Sequence, residues 1–464
     1  MLVCVEAPVR AGAPEDAAMN DTGPQVVDRD ESINWFRETR RRTAGLFGLL
    51  IPEAYYDQPI PLRHPVVFYE GHIPAFSVNT LLKRGLGRQG LDDDLELLFA
   101  RGIDPEDRSS AADVAIASWP SRDTVRRYAD RADEAILDAL KYAPVEQDGH
   151  PVLHRGQAVF TLIEHEELHQ ETLAYMWHRL PRSRKQRPAT AVAVTAGVLP
   201  ESGQVAIPSG RATLGAMLDE IPFGWDNEFP RLSRDVPAFA IDTHNVTNRQ
   251  FLEFVTAGGY TNPDLWSETD WAWRTAAGVE HPPFWSRSGE DWFWRGMFEL
   301  IPLPPAWPVY VSHAEASAYA RWKGLRLPTE AEFHRAAFGT PEGIERSYPW
   351  GEAQPDPTRG NFGFQHWEPV PVGFYPAGVS AWGVHDLVGN GWEWTSTVFE
   401  GFPGFSPMAS YPEYSADFFD GQHYVIKGAS PVTASGLVRR SLRNWFRPHY
   451  PYVYVAFRCV RASD

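Results

Sequence analysis

Glu164-His165-Glu166-Glu167-Leu168-His169-Gln170-Glu171-Thr172 sets two imidazoles four residues apart. On a helix such a pair points to one side and can grip a single metal ion. Histidine pairs at this spacing also occur on ordinary helix surfaces, so the neighbours decide between the readings. Ala158, Leu162, His165, His169, Thr172 and Met176 fall on one face, so the imidazoles interrupt an apolar stripe that should face a bundle interior. Histidines turned inward need a partner, and a metal ion is one.

Working outward, the helical spacing runs from Gln157 to Leu180 and is stopped by Pro181. Three earlier segments read the same way: Ile33 to Leu50 stopped by Pro52, Pro74 to Leu82, and Ser121 to Leu140. Four helices with connecting loops predict an antiparallel bundle over residues 29–181. Residues 1–28 are rich in Ala, Pro, Gly, Asp and Glu without periodicity, as expected of a flexible leader. Residues 182–205 carry basic residues, prolines and small residues and are expected to form a linker. From 206 to 464 the chain is rich in Trp, Gly, Pro and short apolar runs, which predicts irregular loops pinned by aromatic side chains. Helices are expected at Ser312 to Lys323 and Thr329 to Phe338, the latter opened by a Thr329/Glu332 capping box, and strands at Gln204 to Ile207 and Tyr452 to Val460. The fold class is α+β.

At 464 residues the chain has material for two sizeable cores. Its formal charge of -17 argues against nucleic acid or an anionic membrane as partner, and the short basic runs at Arg40 to Arg42 and Arg182 to Arg187 read as solvated segments. No apolar run approaches membrane-spanning length. Only Cys4 and Cys459 are present, so a disulfide framework is not expected and a reducing cytoplasm is the natural compartment. A monomer or weak homo-oligomer is expected.

Several motifs carry a family resemblance. Gly324-Leu325-Arg326-Leu327-Pro328-Thr329-Glu330-Ala331-Glu332-Phe333 and Gly389-Asn390-Gly391-Trp392-Glu393-Trp394-Thr395 resemble signatures of the formylglycine-generating-enzyme fold. Ile207 to Gly210, Thr243 to Asn248, Pro349-Trp350-Gly351, Lys427 to Ser430 and Phe457-Arg458-Cys459 fit the same pattern, which covers 206–464. The helical segment resembles a DinB-like four-helix bundle. A His-x-x-x-His-x-Glu arrangement joined to such a module is similar to the EgtB-like sulfoxide synthases of the ergothioneine pathway. That resemblance implies iron(II) held by His165, His169 and an earlier histidine, with dioxygen as co-substrate and hercynine, the trimethylated betaine of histidine, as acceptor. His72 in Tyr69-Glu70-Gly71-His72-Ile73-Pro74 occupies the matching place, with His64 beside Pro65 as competitor.

Helix geometry opposes Glu171 as a ligand: two residues past His169, it is rotated about 200 degrees from the metal face. A structural or supporting role suits it better, and Glu166 or Glu167 could fix the imidazole tautomers. The same residues also read as His-Glu-x-x-His, the zinc-peptidase signature with Glu166 as general base. That rival lacks a downstream third ligand, because no histidine follows His178 until His244. A formylglycine-generating oxidase would need a cysteine pair, and the C-terminal module has only Cys459.

The resemblance further implies substrate contacts at Asn444 and Trp445 in Arg443-Asn444-Trp445-Phe446-Arg447-Pro448. Trp392, Trp394 and Trp445 are candidates to receive a quaternary ammonium, each competing with an ordinary core role. Two departures bear on the chalcogen donor: Leu168 stands where many members have Gln, and Phe446 where users of gamma-glutamylcysteine tend to have Asp. An apolar side chain cannot receive an ammonium group. Cysteine, or a selenosugar as in the selenoneine synthase branch, is therefore favoured as donor, with slight preference for selenium. Arg84 and Arg88 are candidates to hold the donor. The family's tyrosine near iron is sought among Tyr411, Tyr414, Tyr450 and Tyr452, with Tyr414 preferred.

Overall fold

A computed structural model describes residues 26–100, 119–189, 191 and 195–462. Most of the expected leader, with Cys4, lies outside the described residues. Helix α1 (Arg29–Gly48) starts where the Asp28 carboxylate accepts the Glu31 N–H, and α4 (Arg122–Tyr142) where the Ser121 hydroxyl accepts that of Thr124. Helix α5 (Gln157–Arg179) follows Gly156, whose φ of 65° needs glycine, and ends two residues before Pro181. It is buried almost all round, so its four carboxylates at Glu164, Glu166, Glu167 and Glu171 must each find partners.

Helix α2 departs from expectation. It spans Val66–Ser77, runs through Pro74 rather than starting there, and continues as a wide helical turn over Val78–Gly85. A proline inside a helix costs about 3 kcal/mol. Burying Val66, Val67, Phe68 and Ile73 at about 1.5 to 3 kcal/mol each outweighs that cost. The result puts His72 mid-helix and in the core. A short α3 (Asp93–Leu98), capped by Asp92, was too brief to show in the periodicity. In the bundle, α1 packs on α4 and α5, and α2 on the same two helices.

In the C-terminal module the strands Gln204–Ile207, Phe239–Asp242 and Val460–Ala462 form one sheet, in that order for the first two and with the last on the far side of the second. A second sheet runs Asn444–Phe446, Tyr424–Ala429, Gly391–Val398, Val455–Ala456. The expected strand from Tyr452 to Val460 is thus split between two sheets. Arg458 sits at the break, fully buried and paired with Glu393 at 2.7 Å. The helices His313–Trp322 and Glu330–Phe338 form as expected, the second with its Thr329/Glu332 box. One continuous apolar core links Leu46 and Trp177 of the bundle to Trp392, Trp394 and Tyr454 of the module. Among the described residues no helix is long and apolar enough to cross a membrane.

Candidate metal centre

Helix α5 projects His165 and His169 from successive turns, and α2 brings His72 against them. The three Nε2 atoms form a near-equilateral triangle: His72 to His165 is 3.3 Å, His72 to His169 3.2 Å, and His165 to His169 3.1 Å. Nitrogens each about 2.1 Å from a shared ion stand about 3.0 to 3.4 Å apart when the bond angles run from about 90 to about 110 degrees. The triangle therefore fits one transition-metal ion, and neutral imidazole suits such ions. Burial pushes His72 down to about 4, although its bond to the Phe99 carbonyl works the other way. Burial and then the neighbouring imidazoles hold His165 and His169 well below the usual histidine range. All three rings are neutral at physiological pH.

The His72 Nδ1–H donates to the Phe99 carbonyl at 2.7 Å, which turns the Nε2 lone pair toward the other rings. Phe99 is the residue after α3, so the helix missed in the sequence is what aims this imidazole. His165 and His169 have buried Nδ1 atoms without a hydrogen-bond partner. Packing holds them instead: Phe76 stacks on His165 with ring centres 3.5 Å apart and planes 8° from parallel, and Tyr69 lies 5.7 Å from His169.

The carboxylates of α5 do not orient the imidazoles, contrary to the expectation for Glu166 and Glu167. One residue is a rotation of about 100 degrees, which turns each toward another neighbour. Glu166 accepts from the Thr43 hydroxyl at 2.6 Å and pairs with Arg40 at 2.8 Å, while Glu167 accepts from the Trp35 indole at 2.9 Å. The zinc-peptidase arrangement fails on the same geometry, since its general base is locked in an ion pair with α1. Glu171 accepts from Trp392 Nε1 at 2.7 Å and from the Ser430 and Thr433 hydroxyls at 2.8 Å each, pinning bundle to module. Glu164 pairs with Arg439 of the module at 2.8 Å.

The remaining expected site residues divide into those the fold gathers and those it does not. Tyr411 lies beside the triangle, its ring 5.9 Å from His165 and 5.1 Å from Phe76. Tyr414, the preferred tyrosine from the sequence, stands behind it at 5.7 Å and stacks on Trp225 at 4.0 Å. Burial raises both phenols above their ordinary values, so both are protonated. Trp445 meets Tyr414 edge-on at 5.3 Å and stacks on Phe399, and Asn444 uses its side-chain oxygen to accept the Trp445 N–H at 2.8 Å. Phe446 stacks on Tyr450 at 5.3 Å, and the Tyr450 hydroxyl accepts from Arg63 Nε at 2.9 Å.

Trp394 is a correction: it is fully buried and donates to the Val311 carbonyl, the core role that competed with substrate contact. Trp392 is likewise buried against Glu171. Arg88 is another, being exposed and 3.7 Å from Asp138 of α4 on the outside of the bundle. Arg84 instead donates to the Ser410 carbonyl at 3.0 Å, and Ser410 Oγ bonds Thr161 Oγ1 at 2.9 Å. These two contacts hold the loop that presents Tyr411. Thr161 is one turn before His165 on the same face, a signal the sequence contained. His64, the competing ligand, stacks on Phe68 and is not part of the triangle.

Residues 36–173 match the DinB superfamily and residues 189–463 the sulfatase-modifying factor enzyme 1-like domain. Their order defines a class in which a helical bundle bearing a histidine cluster is closed by a formylglycine-generating-enzyme-like module. The hercynine oxygenase of Mycolicibacterium thermoresistibile is 35% identical over 455 residues, covering 96% of this chain and 97% of that protein. That of Mycobacterium tuberculosis is 36% identical over 403 residues, covering 86% and 91%. Ergothioneine biosynthesis protein 1 of Schizosaccharomyces pombe is 29% identical, covering 89% of this chain and 54% of that longer protein. This chain belongs to the EgtB-like hercynine oxygenase family and is an oxidoreductase.

Proposed function

We propose that the protein is an iron(II)- and dioxygen-dependent enzyme that joins a chalcogen to C2 of the hercynine imidazole, with a selenosugar as the favoured donor and cysteine as the alternative. The observation that carries the metal reading is the Nε2 triangle of His72, His165 and His169. Three neutral nitrogens leave open positions on the ion, and iron(II) bound there would supply the one-electron chemistry that dioxygen requires.

The chain's own residues do the rest. Asn444 and Trp445 are the proposed acceptor contacts, with the partly exposed indole of Trp445 the candidate to receive the quaternary ammonium. Tyr411 replaces Tyr414 as the proton-holding phenol of that loop, because its ring adjoins His165 and Tyr414 stands behind it. Phe76, Phe68 and the Tyr411 ring exclude water from that side of the triangle. Phe446 supports the choice of donor: its ring is stacked on Tyr450, an apolar wall that offers an ammonium group no carboxylate.

Anaerobic loading with iron(II), addition of hercynine with a selenosugar, cysteine or gamma-glutamylcysteine, and mass spectrometry after admission of air test the reading directly. A selenium adduct of hercynine is the expected product. A sulfur adduct from cysteine transfers the assignment to ergothioneine-type synthesis, and failure of every donor with iron bound refutes the proposed reaction.

A further inference from the structure

We propose that Tyr411, Tyr414 and Trp445 form a redox relay that carries oxidising equivalents away from the metal centre when dioxygen is reduced there without an acceptor in place. The inference rests on the iron and dioxygen reading above, and concerns what protects the site rather than what it makes.

The rings are consecutive neighbours. His165 to Tyr411 is 5.9 Å between ring centres, Tyr411 to Tyr414 is 5.7 Å, and Tyr414 to Trp445 is 5.3 Å. Each step is a direct side-chain contact between oxidisable rings, and the last member is partly exposed. Trp225, stacked on Tyr414 at 4.0 Å and fully buried, extends the chain sideways. Phe76 and Phe68, which also lie on the triangle, resist oxidation, and Tyr69 beside His169 is buried. The relay segment is also held still, since Ser410 is bonded by Thr161 and Arg84 and Ser415 by Asp226 and Asn227.

The balance is simple. Tyr411 gives an electron and its phenolic proton to the dioxygen being reduced, and recovers both from Tyr414, which recovers both from the indole of Trp445. Trp445 is restored by hydrogen-atom transfer from a small thiol, and two thiyl radicals pair as a disulfide. Four turns of the relay reduce one dioxygen to two waters while four thiols become two disulfides, so the protein ends unchanged.

Iron-loaded protein is exposed to air without hercynine or thiol, and peptide mass spectrometry then maps oxidised residues. Oxygen-bearing Trp445 should exceed Trp292, which is likewise partly exposed but off the chain. Tyr414→Phe should lower Trp445 oxidation severalfold and shift damage to Tyr411 and His165, whereas Tyr414→Trp should restore the original pattern; added thiol should suppress the marks in each case where the relay is intact. Iron content and circular dichroism check that each variant is folded and loaded. If iron is bound and dioxygen consumed, but damage falls on the histidines, spreads evenly, or stays at Trp445 in Tyr414→Phe, the relay is refuted while the proposed function stands. If no iron is taken up, the reading of the centre fails, and the relay with it.

Discussion

Replacing Glu171 by Ala removes the acceptor for three buried donors, Trp392 Nε1, Ser430 Oγ and Thr433 Oγ1, that join α5 to the C-terminal module. A buried donor left without a partner costs about 1 to 3 kcal/mol. The two hydroxyls already stand 3.1 Å apart and can bond each other, so the indole and one hydroxyl carry the loss. Relief from burying a carboxylate offsets part of it. The net expectation is about 3 kcal/mol for Glu171→Ala and about 1 kcal/mol or less for Glu171→Gln, whose oxygen keeps the Trp392 and Ser430 bonds while its amide meets a hydroxyl able to accept. Equilibrium urea unfolding followed by tryptophan fluorescence reads the difference. All three histidines belong to the bundle, so Glu171→Ala should keep its iron content yet raise KM for hercynine. A loss under about 1 kcal/mol in Glu171→Ala, or iron lost in step with stability, would refute this account of how the two units are joined.

Other outcomes follow from the same geometry. His72→Ala, His165→Ala and His169→Ala should each abolish stoichiometric iron(II) uptake measured by metal analysis after desalting, and full retention in any one removes that residue from the centre. Arg84→Ala should lower kcat by loosening the Tyr411 loop, whereas Arg88→Ala, on the outer surface, should leave both kcat and KM unchanged. Glu368 gives a pH signature: burial raises its carboxyl to about 7, although Trp294 and the Met297 N–H bond it. A carboxyl whose folded pKa lies above its unfolded value contributes stability below about pH 4.5 that is lost as pH rises through about 7, amounting to about 3 kcal/mol. Urea unfolding should thus show that contribution fading from pH 5 to 7.5 in the wild type, and Glu368→Gln should lack this component; parallel curves would sink the assignment.

What could be read from the sequence depended on whether a periodicity carried it. His165 and His169 declare themselves because a helix with a four-residue spacing has only one geometry, and Glu171 could be excluded as a ligand by the same rotation. His72 was placed by resemblance, since Pro74 suggested a helix start where burial instead carries α2 through the proline. The preference for Tyr414 over Tyr411 had no periodicity behind it, because both lie in a loop whose path is set by remote partners, Thr161, Arg84 and Asp226. Trp394 and Trp445 look alike in composition. The strand Gly391–Val398 is buried through its first five residues, which makes Trp394 core, while the short strand Asn444–Phe446 is half-buried on both faces.

The accounting of polar groups along α5 argues for the metal independently of any relative. A helix buried nearly all round must satisfy each polar side chain it carries. Glu164 has Arg439, Glu166 has Arg40 and Thr43, Glu167 has Trp35, Gln170 has the Thr39 carbonyl and the Thr43 hydroxyl, and Glu171 has three donors from the module. His178 has the Tyr454 hydroxyl and the Arg295 carbonyl, which leaves His165 and His169 with each other and with His72 as partners for Nε2. Three neutral rings sharing one small space cannot all be satisfied by protons, because the His72 Nδ1–H fixes that ring as an acceptor at Nε2. A positive ion at the centre accepts all three lone pairs at once. The carboxylates that might have drawn a different ion, or supplied a hydrolytic base, are turned outward to join α1 and the C-terminal module, so the contacts that assemble the two units also keep the centre purely nitrogenous.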